Sequence, residues 1–130
     1  MSNVQAVAAP DAPPAVGAYT PAVVVDGWCF VSGQIGWNAD GTGLPERDAA
    51  QQTEQALRNI EALLTAAGAS LRDIARTTIY VASLDVVGDV NTAYERVLRA
   101  AGVEVLPART TIAVGLPVAV EIDVIARVPQ

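Results

Sequence analysis

A chain of 130 residues matches the size of one domain with its own core, and 52% hydrophobic residues with only 5% aromatics make that core one of Ala, Val, Leu and Ile, as in a mixed α/β domain rather than a disordered or disulfide-framed one. Eight basic residues, all Arg, face fourteen acidic ones for a net charge of −6, and no basic run is long enough to follow a phosphate backbone, which argues against a nucleic-acid partner. With no Lys or His, Schiff-base catalysis, a Ser-His-Asp triad and His-ligated zinc are excluded from a single chain, and the lone Cys29 can form neither an internal disulfide nor a multi-thiolate metal site.

Residues 1–18 hold Pro10, Pro13 and Pro14 among Ala and polar residues, a composition for an extended arm, with room for a short strand around Val4 to Val7. No basic segment leads into an apolar one there, and no run in the chain approaches the eighteen or so apolar residues of a membrane helix. A cytosolic protein with no membrane partner is expected. Ala22-Val23-Val24-Val25 and Trp28-Cys29-Phe30-Val31-Ser32 flank Asp26-Gly27, the pair that suits a two-residue type I′ hairpin turn. Cys29, inside the second of these strands, reads as a small buried hydrophobe rather than a nucleophile.

Residues 36–46, with Asn38, Asp40, Gly41, Gly43 and Pro45, read as a mobile loop. From about Asp48 to Ala67 the apolar positions Leu57, Ile60, Leu64 and Ala67 recur at helical spacing, and Gly68 ends the helix. Ile74 to Ala82 is a β-branched strand, Val86 to Ala101 a second helix closed by Gly102, and strands at 108–114 and 119–127 are separated at Gly115-Leu116-Pro117. The order β-β-β-α-β-α-β-β predicts one α+β domain over 1–130, with two helices on one sheet face. Val and Ile at both parities of several strands point to burial of the other face by self-association.

Two charges stand out inside apolar strands. Arg109 opens Ala108-Arg109-Thr110-Thr111-Ile112-Ala113-Val114, and Glu121 lies within Val118-Ala119-Val120-Glu121-Ile122. A charge loses hydration in such a place, so it is tolerated best when paired, at an edge, or used on a ligand. On neighbouring strands the two would face one small polar pocket. The alternative from the pattern alone is two charges on the wet face of an alternating sheet.

Segments spread in order through the chain resemble the RidA/YjgF family of reactive-intermediate (enamine/imine) deaminases, also known as the L-PSP endoribonuclease-like family. They are Gly17-Ala18-Tyr19-Thr20, Phe30-Val31-Ser32-Gly33-Gln34-Ile35, Gln52-Thr53 with Ala56-Leu57-Arg58-Asn59-Ile60, Ala66-Ala67-Gly68-Ala69-Ser70-Leu71, Val90-Asn91 with Tyr94, Pro107-Ala108-Arg109-Thr110, Leu116-Pro117 and Val120-Glu121-Ile122. The resemblance implies a chorismate-mutase-like α+β fold with a mixed sheet, and a homotrimer whose sheets line a central barrel with clefts between subunits. It also implies cofactor-free hydrolysis of enamines and imines such as 2-aminoacrylate to a 2-keto acid and ammonia.

By the same resemblance Arg109 anchors the substrate carboxylate, for which a planar guanidinium offers two parallel hydrogen bonds. Glu121 orients or deprotonates the attacking water and passes a proton to the departing ammonia. Tyr19 closes the cleft from the neighbouring subunit, or is an interface Tyr with no chemical role. Ser32 and Gly33 end the third strand, where Gly lets a main-chain N–H approach the carboxylate, or they only mark that end. Asn91, on the second helix, is a ligand contact or a structural hydrogen-bonding residue.

The sequence also departs from the family's pattern. Thr111 stands two residues after the anchor, where Cys is frequent; Pro21 and Val118 replace residues usual beside Tyr19 and after the Leu-Pro pair. The stretch from Arg109 to Glu121 is about three residues shorter than in typical members, and an odd change exchanges strand faces unless the turn absorbs it. These features keep two alternatives open: a deaminase of a larger enamine or aminomuconate-like acid, and a trimeric carboxylate binder without catalysis. Ribonuclease activity, attached to some members, is disfavoured by the charge balance.

Overall fold

Asp26 and Gly27 both have positive φ, 52° and 78°, and join β2 (Ala22–Val25) to β3 (Trp28–Gln34) with Val25 opposite Trp28. This is the two-residue type I′ turn that the dipeptide predicts. The computed structural model describes residues 3–130; the first two residues of the expected arm lie outside them. The remaining elements are β1 (Gln5–Ala6), α1 (Ala49–Ala66), β4 (Ile74–Val81), α2 (Val87–Ala100), β5 (Ala108–Ala113) and β6 (Val120–Arg127), in the order read from the sequence.

Helix α1 starts at a capping box in which the Asp48 side chain accepts from the Gln51 N–H and the Gln51 side chain accepts from the Asp48 N–H. Both helices end in the same hydrogen-bond pattern. Ala69 N–H donates to Leu64 O and Gly68 N–H to Thr65 O, as Val103 N–H does to Leu98 O and Gly102 N–H to Arg99 O, the Schellman closure.

The sheet order is β1-β2-β3-β6-β4-β5. Only the β4–β5 pair is parallel, its strands joined through α2; the other pairs are antiparallel. On β6 buried and half-buried residues alternate. Val120, Ile122, Val124 and Ala126 face the helices together with Cys29, Val31 and Ile79, and meet Leu57, Ile60, Leu63 and Leu64 of α1 in one core. Cys29 is fully buried as expected, and burial raises its thiol pKa. The opposite face carries Trp28, Phe30 and Ile112 exposed, so within one chain the second face is open.

Three expectations change. β5 and β6 are not neighbours, because β4 lies between them; each is paired with β4, one parallel and one antiparallel. β3 does not end at Ser32-Gly33 but continues to Gln34 through a register shift between Val31 and Gln34. The loop over 36–46 has no regular structure, yet its ends are fastened: Asn59 Nδ2 donates to the Ile35 and Trp37 carbonyls, and Arg47 Nη1 donates to the Gly36 carbonyl. No helix among the described residues is long and apolar enough to cross a membrane.

Candidate active site

Arg109 sits on β5 opposite Thr77 of β4. Thr77 is fully buried under α2 and its hydroxyl meets the Tyr94 hydroxyl at 2.9 Å, so Arg109 projects to the helix side of the sheet. There its guanidinium lies 5.0 Å from the centre of the Tyr94 ring. Its Nε donates to Thr111 Oγ1 at 2.7 Å and its Nη2 to Asn91 Oδ1 at 2.5 Å. Asn91 and Tyr94 are at i and i+3 on α2 and share a face, which is why one helix supplies both the hydrogen-bonded wall and the ring platform. Val87, Leu106, Pro107 and Glu95, whose carboxylate is paired with Arg99, complete the groove. Burial pushes the Arg109 pKa down, with Tyr94 opposing, but a guanidinium stays charged at neutral pH. Among the described residues no carboxylate lies within ion-pair distance of it.

Glu121 lies elsewhere. It is opposite Tyr80 on β4, and it is three residues from Val124, the partner of Thr77. Odd separation on a strand means opposite faces, so Glu121 points to the open side of the sheet while Arg109 points to the helix side. Its carboxylate is seated over Gly33, where a Cβ would fall 2.5 Å from Glu121 Oε2. This seat lies within the register shift between Val31 and Gln34. Glu121, Gly33 and Tyr19 line a cavity of about 170 Å³ with Pro13, Val16 and Trp37. Desolvation, and secondarily the Asp123 charge, raise the Glu121 pKa. Ser32 is used to hold the chain before β2: its Oγ donates to Thr20 O at 2.7 Å and its N–H to Pro21 O at 2.9 Å.

Within one chain, then, the expected sites form two sets. Arg109, Asn91 and Thr111 are brought together; Glu121, Gly33 and Tyr19 are brought together; the two sets do not share a pocket. The expectation that Arg109 and Glu121 lie on neighbouring strands is corrected: β4 separates β5 from β6, and the register of each with β4 puts the two side chains on opposite faces of one chain's sheet.

The Endoribonuclease L-PSP family model matches residues 9–128. The chain belongs to this family, also called YjgF/RidA. It is 37% identical over 123 residues to the 2-iminobutanoate/2-iminopropanoate deaminase of Escherichia coli strain K12, covering 92% of this chain and 94% of that protein. It is also 37% identical over 116 residues to a RutC family protein of Aquifex aeolicus, 88% and 90% covered. The crystal structure of the E. coli YjgF gene product matches with a TM-score of 0.89 at 36% identity over 95% of this chain and 98% of that one. E. coli TdcF with bound serine matches with a TM-score of 0.89 at 30% identity, with the same coverage.

Tyr94 lies in one of the segments that resemble the family, and no role follows for it from the sequence. It carries the Arg109 guanidinium on its ring. Its signal was the i, i+3 spacing from Asn91 on an amphipathic helix. Thr111, at the position where the resemblance leads one to expect Cys, accepts a hydrogen bond from Arg109 Nε, and a thiol would serve that donor less well. Among the described residues no group of three or more His, Cys, Asp or Glu is placed to hold a metal ion.

Proposed function

We propose that this L-PSP family protein hydrolyses 2-imino acids of the 2-aminoacrylate type to 2-keto acids and ammonia, without metal or organic cofactor, in clefts formed between the subunits of a homotrimer. The observation that carries this reading is Arg109: a half-buried guanidinium, fixed by Thr111, Asn91 and the Tyr94 ring, with no carboxylate among the described residues paired to it. Such a group lacks its counter-ion, and a substrate carboxylate supplies one through paired N–H bonds. The names of the E. coli relative and of the serine-bound TdcF support a small amino-acid-derived ligand.

Assembly supplies the other half. The open sheet face with Phe30 and Ile112 exposed is a surface for another subunit, and two half-sites on opposite sheet faces are completed only between chains. In the cleft Arg109 of one subunit holds the carboxylate and Glu121 of the next holds a water. The water oxygen attacks the C=N carbon while its proton passes to the Glu121 carboxylate. With the imine protonated at the start, that proton then goes to the amino nitrogen of the carbinolamine. As the C–N bond breaks and ammonia leaves, the hydroxyl proton passes to the Glu121 carboxylate and the carbonyl forms; Glu121 then releases the proton to solvent. The gain comes from orientation and charge placement.

The test is keto-acid and ammonia release from freshly generated 2-aminoacrylate, with the solution mass measured in parallel. We expect turnover by a particle three times the 13.4 kDa chain mass, lost by about a hundredfold or more in Arg109→Ala. Carboxylate binding that needs Arg109 without any turnover would instead make the protein a silent binder.

A further inference from the structure

The deaminase reading accounts for Arg109 and Glu121 but not for the space behind Glu121. Of the three parts of a 2-imino acid, the carboxylate belongs to Arg109 and the C=N carbon must lie beside the Glu121 carboxylate. For the third part, the side chain, the cavity next to Glu121 offers apolar room. Among the described residues Glu121 is the only charged one lining its cavity; Tyr19 and Gln34 are polar walls, and the others include Pro13, Pro14, Val16, Ile35 and Trp37. This room of about 170 Å³ is comparable with apolar cavities that take up a benzene molecule, at about 150 Å³.

We propose that this cavity is a side-chain subsite, and that the protein prefers 2-imino acids with a branched aliphatic or aromatic side chain over the methyl-bearing 2-iminopropanoate. The inference rests on the deaminase reading for the placement of the C=N group. Its physical basis is separate: a methyl group leaves most of the cavity unfilled, whereas an isobutyl or benzyl group removes apolar surface from water on both sides. Pro13 and Pro14 give the arm wall little backbone freedom, and the Trp37 backbone is held by Asn59, so the cavity is built before the ligand arrives.

The experiment supplies imines in situ from alanine, 2-aminobutyrate, leucine and phenylalanine with an amino-acid oxidase, dioxygen and catalase, and reads acceleration of ammonia release. The expected result is kcat/KM rising from the methyl to the isobutyl or benzyl imine by about tenfold or more. Val16→Trp, which fills the cavity from an exposed position, should reverse that ratio. Turnover of the methyl imine with a flat or falling series overturns the subsite and leaves the deaminase reading standing. If no imine is turned over, the deaminase reading falls, and calorimetric binding of phenylpyruvate against pyruvate then decides: equal or weaker binding of phenylpyruvate overturns the subsite, and tighter binding supports it.

Discussion

Gly33→Ala tests the placement of Glu121 without touching its charge. The added Cβ would lie 2.5 Å from Glu121 Oε2, 2.8 Å from Cδ and 3.1 Å from Cγ. Ordinary contact begins near 3.4 Å, so the carboxylate must retreat by about 0.9 Å. The clash is with the flexible end of a side chain, and Gly33 has no positive φ, so the backbone can accept alanine. The cost in stability is that of an off-rotamer Glu, about 0.5–1.5 kcal/mol, and Tm should fall by only a few degrees. A displacement near 1 Å at the reacting group is expected to lower kcat/KM by about a hundredfold. The assay is imine hydrolysis beside a thermal melt, repeated in a Glu121→Gln background, where the alanine should cost almost nothing more. Wild-type kcat/KM in Gly33→Ala would refute the view that Gly33 seats a working carboxylate.

The remaining predictions concern the titration of Glu121 and the ring and hydroxyl of Tyr94. Because the Glu121 pKa is raised, by burial first and Asp123 second, the acid limb of kcat/KM should lie above the ordinary Glu value of about 4.3. The same shift stabilises the fold below the unfolded-state pKa and is lost as pH rises through the folded one. The Tm of Glu121→Gln relative to wild type should therefore improve between about pH 4 and about pH 7; melts showing the opposite slope would contradict the shift. For Tyr94, the leucine variant removes the platform under Arg109 and should weaken keto-acid binding by about fivefold to thirtyfold. Tyr94→Phe keeps the ring but leaves the buried Thr77 hydroxyl unpaired, so it should lower Tm while binding stays near wild type; calorimetry showing unchanged affinity in Tyr94→Leu would remove the platform from the account.

The elements were legible because their signals are local. Alternation over Val120 to Arg127, the spacing of Leu57, Ile60 and Leu64, and Asp26-Gly27 each specify one conformation within a few residues. Strand order is not local. Nothing in the sequence around Arg109 or Glu121 shows that β4 inserts between their strands or in what register each pairs with it, and that register decides which side of the sheet each charge takes. The seat at Gly33 was hidden for a related reason: a single extra residue in β3 moves the pairing from Val31–Val124 to Gln34–Ile122, and such a bulge has no strong composition of its own. The family pattern supplied the candidate residues, while their division into two sets follows from topology alone.

Gln52 bears on the short stretch before Glu121. Its buried amide donates to Arg47 O and accepts from the Ala119 N–H, while Ala119 O accepts from Ala82 N–H and Val114 N–H donates to Val81 O. Both ends of the connection are thus tied to α1 and β4, and Gly115 between them has open space around it. Length added or removed over 115–118 is therefore expected to leave β6 in register, which makes this turn the natural insertion point for a peptide tag or a reporter loop.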